Sequence, residues 1–159
     1  MNIKIICCGK LKESYLTDTV NDYKKRLSRF APVEIIEVAD EKIPENASSA
    51  EETIAVTREG ERILSKIQSS DYVIAMAIQG SSYTSESFSE HIGTLRDSGK
   101  NTLAFLIGGS LGLSDAVYKR ANETISLSRM TFPHRIARIL ILEQLYRAFK
   151  ILHHEPYHK

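Results

Sequence analysis

The chain has 159 residues, of which 42% are hydrophobic and 26% are charged. This length suffices for one domain with a proper core, and the composition is that of an ordinary globular protein, not a disordered or fibrous one. Met1 leads straight into a strand-like segment, and no apolar run reaches the ~18 residues of a membrane span. We therefore expect no signal peptide, no membrane anchor and a cytoplasmic protein.

The net charge is only +1, but it is unevenly distributed. Residues 1–100 contain 13 Lys or Arg against 16 Asp or Glu, whereas residues 101–159 contain 8 against 4, together with four of the five histidines. The C-terminal part is therefore the better candidate for contact with a polyanion, although this asymmetry alone does not establish nucleic-acid binding.

The adjacent Cys7 and Cys8 fit neither a CxxC redox pair nor a zinc site. We expect both to be buried and to act as small hydrophobic side chains.

Strands and helices alternate through the first hundred residues. The hydrophobic periodicity predicts a strand over Asn2–Cys8, a helix over Glu13–Arg29, a strand over Val33–Ala39, a helix to about Ile67, a strand over Tyr72–Ile78 closed by Gln79-Gly80, and a polar helix over Ser85–Ser98. Ser48 and Ser49, followed by Glu51 and Glu52, have the spacing of a capping box at the start of the second helix. The basic residues at the end of the first helix, Lys24–Arg29, either compensate the helix dipole as a solvated face or form an RNA-binding patch.

The second half is organised around a short apolar run that ends in glycines. Leu103–Gly108 is typical of a buried strand, and Gly108–Gly112 is either a turn where a ligand approaches bare backbone or a plain strand-to-helix turn. Ser114 has the character of an N-cap. The remaining pattern predicts a short helix over Ser114–Ala121, a strand over Thr124–Ser128, a loop Met130–Pro133, and a long helix from Pro133 to about Leu152.

This alternation predicts a single α/β domain over residues 1–159, with a mostly parallel sheet flanked by helices. Irregular turns follow three successive strands, namely Gln79-Gly80, Gly108–Gly112 and Ser128–Pro133. If these strands are neighbours, the three turns form one pocket that suits a flat polar heterocycle such as adenine. Its apolar walls would come from Met76, Leu127, Met130 and Phe132. The glycine pattern is neither GxGxxG nor a Walker motif, so a nucleotide phosphate is disfavoured.

The last helix carries more apolar surface than one sheet can cover. A broad face holds Ala137, Ile141, Leu142, Leu145, Ala148, Phe149 and Leu152, and further apolar groups at Ile136, Ile139, Leu140, Tyr146 and Ile151 occupy much of the rest. A helix on one sheet needs a stripe of only a little more than ~100°. The second surface that covers this helix is therefore expected to be another subunit, the alternative being a central helix in a monomer.

The C-terminal tail is unusually rich in functional side chains. Tyr157 could stack on a base, His158 could move a proton near neutral pH, and Lys159 could contact phosphate, the alternative being a frayed terminus. The histidines at 153, 154 and 158 have no cysteine or paired acid nearby in sequence, so no metal site is expected. His134 is expected to be a cap or core histidine, and Glu143 and Arg147 an i, i+4 helix pair.

Several motifs resemble those of the RlmH family, the ribosomal large-subunit pseudouridine methyltransferases of the SPOUT superfamily. The resemblance covers the whole chain and is carried by Gly9–Glu13, Ile107–Gly112, Leu127–His134, Glu143–Ala148 and the terminal Pro156–Lys159. One departure is visible, because the family usually has glycine before Glu155 and this chain has His154.

The resemblance implies a C-terminal trefoil knot, a homodimer packed through the last helix, and S-adenosylmethionine as methyl donor. Fold rules alone would argue against a knot. Gly108 would lie against the cofactor with no room for a side chain. The cofactor contacts implied by the matched motifs are Met76, Gly108, Leu127, Ser128, Arg129, Met130, Thr131 and Phe132.

The resemblance also implies a substrate, namely N3 of a pseudouridine in helix 69 of 23S rRNA on the assembled ribosome. Because a neutral imide nitrogen is a poor nucleophile, N3 must lose its proton, and His158 is the candidate for that role with Tyr157 as an orienting group. Lys159 and the basic end Lys24–Arg29 would hold the rRNA. Two other classes remain open on the residues alone, a flavodoxin-like or other nucleotide-binding enzyme and an RNA-binding module without catalysis.

Overall fold

The computed structural model describes all 159 residues, and in it five strands alternate with five helices, as the sequence predicts. The elements in chain order are β1 (Asn2–Cys8), α1 (Ser14–Leu27), β2 (Val33–Val38), α2 (Ser49–Leu64), β3 (Tyr72–Ser82), α3 (Ser85–Asp97), β4 (Thr102–Ile107), α4 (Asp115–Arg120), β5 (Glu123–Ser126) and α5 (His134–Leu152). The predicted capping box is present, since Ser48 and Glu51 hydrogen-bond reciprocally at the start of α2. Ser114 caps α4 as predicted.

The five strands form one sheet in the order β2-β1-β4-β3-β5, and every neighbouring pair is parallel. Successive residues of a strand face opposite sides, so Ile5 and Cys7 pack under α1, α3 and α5, whereas Ile6 and Cys8 pack under α2 and α4. Both cysteines are buried and free, as predicted, and burial raises the pKa of each thiol to about 12. The predicted α/β class with a parallel sheet is confirmed.

Strand β3 is longer than the sequence indicates. Met76 and Ser81 both lie opposite Ile125 of β5, so residues 77–80 form an excursion, after which the strand resumes. The prediction that Gln79-Gly80 closes this strand is therefore wrong. A Cβ built on Gly80 would lie 2.6 Å from the carbonyl carbon of Ile125, so only glycine lets the backbone of β5 pass this close.

Helix α5 is a central helix, flanked by α1 on one side and by α3 on the other. Ile141 and Leu145 are 1% and 0% exposed within this chain's own core. Tyr146 is covered by Phe30 and Tyr157. Much of the apolar surface that sequence reasoning assigned to a second subunit is thus covered by the chain itself, because two neighbouring helices and the sheet enclose three sides of α5.

An apolar patch nevertheless remains exposed around the start of α5. We call it the α5 patch and define it as Met130, Phe132 and Ile136, whose exposed fractions are 74%, 38% and 37%. Exposed apolar side chains that cluster in this way are typical of interaction surfaces.

His154, where the resembled family usually has glycine, ends α5 in a left-handed conformation with φ of 54°. The His154 N–H donates to the carbonyl of Ile151, and the Glu155 N–H donates to the carbonyl of Lys150, each at 2.9–3.0 Å. These two bonds define a Schellman motif, which favours glycine at the left-handed position. The departure from the family pattern therefore places a residue with a side chain where the backbone favours glycine.

His154→Gly is accordingly expected to stabilise the protein. A left-handed conformation costs a residue with a Cβ about 1–2 kcal/mol, part of which is offset by the greater freedom of glycine in the unfolded chain. We expect a net gain of about 1 kcal/mol and a melting temperature about 2–4 °C higher in thermal unfolding followed by circular dichroism. A lower melting temperature would mean that the imidazole makes a contact that outweighs this strain.

Candidate functional site

The three irregular turns predicted to form one pocket do follow neighbouring strands. Strands β4, β3 and β5 are adjacent in the sheet and parallel, so their carboxyl ends meet at one edge. That edge holds the glycine turn after β4, the 77–80 excursion of β3, and the segment 127–133 after β5, which we call the 127–133 loop. Ligands of open α/β sheets bind outside the carboxyl ends of the strands, so this edge is the candidate site.

The glycine turn is tightly folded on itself. Gly112 has a φ of +83°, and its N–H donates to the carbonyl of Gly109 at 3.1 Å. A Cβ built on Gly108 would lie only 2.4 Å from the carbonyl oxygen of Gly112. Gly108 therefore has no room for a side chain, as expected, because the turn's own backbone occupies that space; its contact with a cofactor stays a prediction.

A cavity of about 290 Å³ opens between the end of β5, the start of α3 and α5. Small-molecule sites are usually about 300–1,000 Å³, so this volume lies at the lower end of their range. Two of the predicted cofactor residues, Leu127 and Phe132, line it. Its other walls, which sequence reasoning did not assign to the site, are Tyr83, Thr84, Ser85, Phe88, Ile125, Ser126, Leu140, Ile141 and Gln144.

The remaining predicted cofactor residues do not line this cavity. Met76 is half-buried at the point where β3 leaves the ladder, and Gly108 is buried in the glycine turn. Ser128 is half-buried and shapes the 127–133 loop, because its Oγ accepts the Met130 N–H at 3.0 Å. Arg129, Met130 and Thr131 are exposed. Met130 does not line this cavity, and its place in the apolar wall of a cofactor pocket stays a prediction.

The C-terminal tail is folded back onto the body of the protein. The Tyr157 hydroxyl donates to Oε1 of Glu143 at 3.2 Å. The Tyr157 ring packs edge-on against the ring of Tyr146, with centroids 4.9 Å apart. The Arg147 guanidinium lies 4.7 Å from the centroid of the Tyr157 ring. Glu143 and Arg147 form the predicted i, i+4 pair at 2.5 Å. The alternative of a frayed terminus is therefore wrong for Tyr157.

His158 holds the tail beside the cavity. Its Nε2 lies 2.8 Å from Oε1 of Glu86, and its Nδ1 lies 3.3 Å from Nη1 of Arg147. Since an arginine has no acceptor, Nδ1 must accept that bond and Nε2 must carry the proton donated to Glu86. The two carboxylates that bind the tail, Glu86 and Glu143, are each next in sequence to a residue that lines the cavity, namely Ser85 and Gln144. The tail therefore lies at the rim of the cavity.

The charge states of the tail's partners are set by these contacts. A hydrogen bond from its own backbone, and next the hydrogen bond of His158, lower the pKa of the Glu86 carboxyl to about 2. Glu86 therefore stays ionised, and its bond to His158 persists at physiological pH. Burial, and next the charge of Glu143, raise the pKa of the Tyr157 phenol to about 12. Tyr157 is thus a hydrogen-bond donor at neutral pH and not a base.

The basic end of α1 lies far from the glycine turn. Because α1 connects the carboxyl end of β1 to the amino end of β2, its last turn lies at the opposite edge of the sheet, about 20 Å along the helix. Arg29 there pairs with Glu155, which also accepts from Lys150. Lys24–Arg29 therefore lies away from the glycine turn, but Arg29 contacts the base of the C-terminal tail.

His134 is half-buried at the start of α5, as a structural histidine would be. Its Nε2 would lie 3.2 Å from a Cβ built on Gly9, which has a φ of +84°. Burial, and next the charges of Arg138 and Arg135, lower the pKa of the imidazole below its ordinary value. His134 is therefore neutral at pH 7 and packs on the turn after β1.

The parallel sheet, with a cavity beside the carboxyl ends of adjacent strands, is the arrangement of ligand-binding α/β proteins. The chain belongs to the SPOUT methyltransferase family, because the family model described as "Predicted SPOUT methyltransferase" matches residues 1–158. Family membership implies the trefoil knot, and the close approach of Gly80 to the backbone of β5 is consistent with it.

Full-length relatives narrow this assignment. Proteins named ribosomal RNA large subunit methyltransferase H are 55% identical in Bacillus pumilus, 54% in Clostridium kluyveri and 53% in Bifidobacterium animalis subsp. lactis. Each match spans 159 residues and covers 100% of both chains. The resemblance to the RlmH family is thereby confirmed.

A solved structure supports the fold. A Legionella pneumophila protein described as a methyltransferase in complex with the bound cofactor SAM superposes with a TM-score of 0.51 at 12% identity. The match covers 94% of this chain, which spans 66% of that one. No helix of the present structure has the length and apolar character needed to cross a membrane.

Proposed function

We propose that this protein transfers a methyl group from S-adenosylmethionine to N3 of a pseudouridine in helix 69 of 23S rRNA, on the assembled ribosome in the cytoplasm. The observation that carries the proposal is the meeting of Met76, the glycine turn and the 127–133 loop at one edge of the sheet. The chain in which they meet is similar along its whole length to proteins named ribosomal RNA large subunit methyltransferase H.

The residues at this edge fit the proposed cofactor. Gly112 has open space where a side chain would be, so a flat ring such as adenine could approach the backbone of the glycine turn there. Leu127 and Phe132 supply apolar surface in the cavity. Met76, Gly108 and the segment 127–132 would hold the cofactor. When bound, S-adenosylmethionine supplies a methyl group activated by a positively charged sulfur.

The protein's own residues must then align and deprotonate the target. Holding N3 in line with the methyl carbon removes much of the entropic barrier. His158 accepts the N3 proton at Nδ1, the nitrogen without a proton. In the present arrangement the lone pair of Nδ1 faces Arg147, so the ring must turn away from Arg147 before it acts. Tyr157 orients the base as a hydrogen-bond donor or stacking partner.

Basic groups remote from the pocket would hold the rest of the rRNA. Lys159 extends from the tail, and Arg29 of Lys24–Arg29 pairs with Glu155 at the base of that tail. Lys24–Arg29 is therefore suited to rRNA that continues past the tail, away from the glycine turn. Phosphate contacts of this kind would make ribosome binding weaken as salt concentration rises.

We also propose a homodimer that buries the α5 patch. The interface is expected to include Ile136 and the half-buried Ile139, and it adjoins the 127–133 loop. An interface there would bring residues of one subunit close to the cofactor loop of the other. Whether the tail serves its own pocket or that of the partner subunit depends on this arrangement.

Ile136→Glu is therefore expected to give monomers, because it places a charge in a surface that must be desolvated on association. Light scattering at micromolar concentration measures the change. Ile54→Glu, at an isoleucine of α2 that is 51% exposed and lies on the other face of the sheet, should leave the dimer intact. A wild-type protein that is monomeric in this experiment would contradict the dimer. Leu145 and Ile141 are unsuitable probes because their replacement would disrupt the core.

Calorimetric titration with S-adenosylmethionine separates the proposed function from its alternatives. A flavodoxin-like or other nucleotide-binding enzyme would bind a different cofactor, and an RNA-binding module without catalysis would bind none. We expect saturable binding of S-adenosylmethionine, and its demethylated product should compete. Absence of binding to a folded protein would contradict the proposal.

A further inference from the structure

Arg138, in the second turn of α5, is a fully buried cation outside the candidate pocket. Its side chain is 0% exposed. Nη1 donates to Oε1 of Glu37 at 2.6 Å, and Nη2 donates to the carbonyl of Gly9 at 3.0 Å, whereas Nε has no partner. A buried charge is expensive unless it is paired and hydrogen-bonded, so a well-packed apolar residue would often serve stability as well. The arrangement therefore calls for a role other than stability.

The guanidinium ties two separate segments to α5. Gly9 follows β1, and Glu37 lies near the carboxyl end of β2. The same Glu37 oxygen also accepts the N–H of Leu11 in the loop between β1 and α1, at 3.2 Å. A second ion pair joins Arg135 to Glu13 of that loop at 2.6 Å. The start of α5 is thus fixed by charge to the ends of two strands and to the segment Gly9–Glu13, a motif that the proposed chemistry does not use.

The start of α5 is also the end of the 127–133 loop. The Pro133 carbonyl accepts the N–H groups of Ile136 and Ala137, so the loop passes into α5 without an intervening linker. At its other end the loop leaves β5, where Ser126 pairs with Ser82 and donates its hydroxyl to the carbonyl of Ser128. One end of the loop is therefore set by the sheet, and the other by the contacts of Arg138.

We infer that Arg138 is a positioning residue, which with Glu37 and the Gly9 carbonyl sets the geometry in which the 127–133 loop receives the methyl donor. The inference rests on the proposed function. Arg138 does not line the cavity, and its hydrogen bonds go to Glu37 and Gly9 and not to the tail, so its effect is transmitted through the rigid first turns of α5. Loosening this anchor widens the range of loop conformations, and only a fraction of them can bind.

A second buried ion pair offers a matched control. Lys4 and Asp71 lie 2.9 Å apart, with side chains 14% and 1% exposed, and the Gln68 N–H also donates to Asp71. This pair lies at the amino edge of the sheet, away from the 127–133 loop. Asp71→Asn and Glu37→Gln both replace a carboxylate by its amide, and each perturbs a buried cation, but only Glu37→Gln weakens the anchor.

The test combines two readouts on Arg138→Lys, Glu37→Gln and Asp71→Asn. The first is the Kd for S-adenosylmethionine by calorimetry, and the second is hydrogen exchange of the 127–133 amides in the protein without cofactor. We expect the Arg138 and Glu37 variants to bind about tenfold more weakly and to exchange faster in the loop, a typical size for coupling between sites. Asp71→Asn should lower the melting temperature but keep the Kd within about twofold. A protein that carries both Arg138→Lys and Glu37→Gln should bind S-adenosylmethionine no more weakly than the weaker-binding of the two single variants, because both substitutions remove the same contact.

Folded Arg138→Lys and Glu37→Gln proteins with unchanged Kd and unchanged loop exchange would overturn the inference. So would an Asp71→Asn protein that loses affinity equally, since the effect would then be general destabilisation. If wild type does not bind S-adenosylmethionine, the proposed function fails. Even in that case, hydrogen exchange of the 127–133 amides in the variants shows whether Arg138 anchors the loop.

Discussion

Deletion of Pro156–Lys159 is expected to abolish methyl transfer while the fold persists. The tail contributes one edge-on aromatic pair, one cation–π contact and the hydrogen bond of Tyr157 to Glu143, together about 1–3 kcal/mol. At about 2–4 °C for each kcal/mol, the melting temperature should fall by several degrees only. Turnover should disappear because the truncated protein lacks the proposed proton acceptor and the group that orients the base.

Within the tail, His158→Ala should lower turnover by about 10²–10⁴, the usual contribution of a general base. The cofactor Kd should change less than turnover, because the turns supply most of the proposed cofactor contacts. If His158 is a base, raising the pH should partly restore activity by ionising N3 directly. A smaller loss that higher pH does not repair would indicate positioning instead.

His154→Gly provides the matched control for the tail, since it alters a neighbouring histidine without touching the contacts of His158. It should stabilise the protein and leave turnover unchanged. Full activity in the protein lacking Pro156–Lys159 would remove every role proposed for Tyr157, His158 and Lys159. Complete unfolding of that protein would instead show that the tail is mainly structural.

Gly108→Ala is expected to weaken S-adenosylmethionine binding by about a hundredfold and to destabilise the protein. The new Cβ would lie 2.4 Å from the Gly112 carbonyl oxygen, so the backbone of the turn must move. A displacement of about 1 Å in a site can reduce activity by a factor of 10². Calorimetry measures the loss of affinity, and thermal unfolding measures the loss of stability.

Gly99→Ala controls for the general effect of strain. Gly99 has a φ of +78° with open space around its Cβ position, and it lies in the turn before β4, at the other edge of the sheet. This variant should lose about 1 kcal/mol of stability but keep its affinity. A folded Gly108→Ala protein with wild-type affinity would remove the glycine turn from the site.

Local sequence signals predicted most of the fold. The apolar runs of β1 and β4, the capping serine Ser48 and the N-cap Ser114 each act within a few residues, so their elements were identified with ends wrong by only a few residues. The strand order was not predictable in this way, because it depends on contacts between segments. The wall residues Ser85 and Gln144 were missed for the same reason, since nothing local marks a polar residue of a helix as part of a pocket.

Three findings arise from tertiary contacts that no local pattern encodes. Strand β3 resumes after Gly80 because the backbone of β5 passes across it. Helix α5 is enclosed by α1 and α3, so a wide apolar surface did not require a second subunit. The best available signal for Arg138 was a cation among apolar residues of α5, which the periodicity alone could not distinguish from an exposed charge.

The central claim is tested most directly by transfer of labelled methyl groups from S-adenosylmethionine to assembled ribosomes that lack the modification. Digestion of the labelled 23S rRNA should place the label in helix 69, as pseudouridine methylated at N3, with less transfer to free 23S rRNA. A protein that binds S-adenosylmethionine but transfers no methyl group to these ribosomes would contradict the proposal, as would label at any other nucleotide.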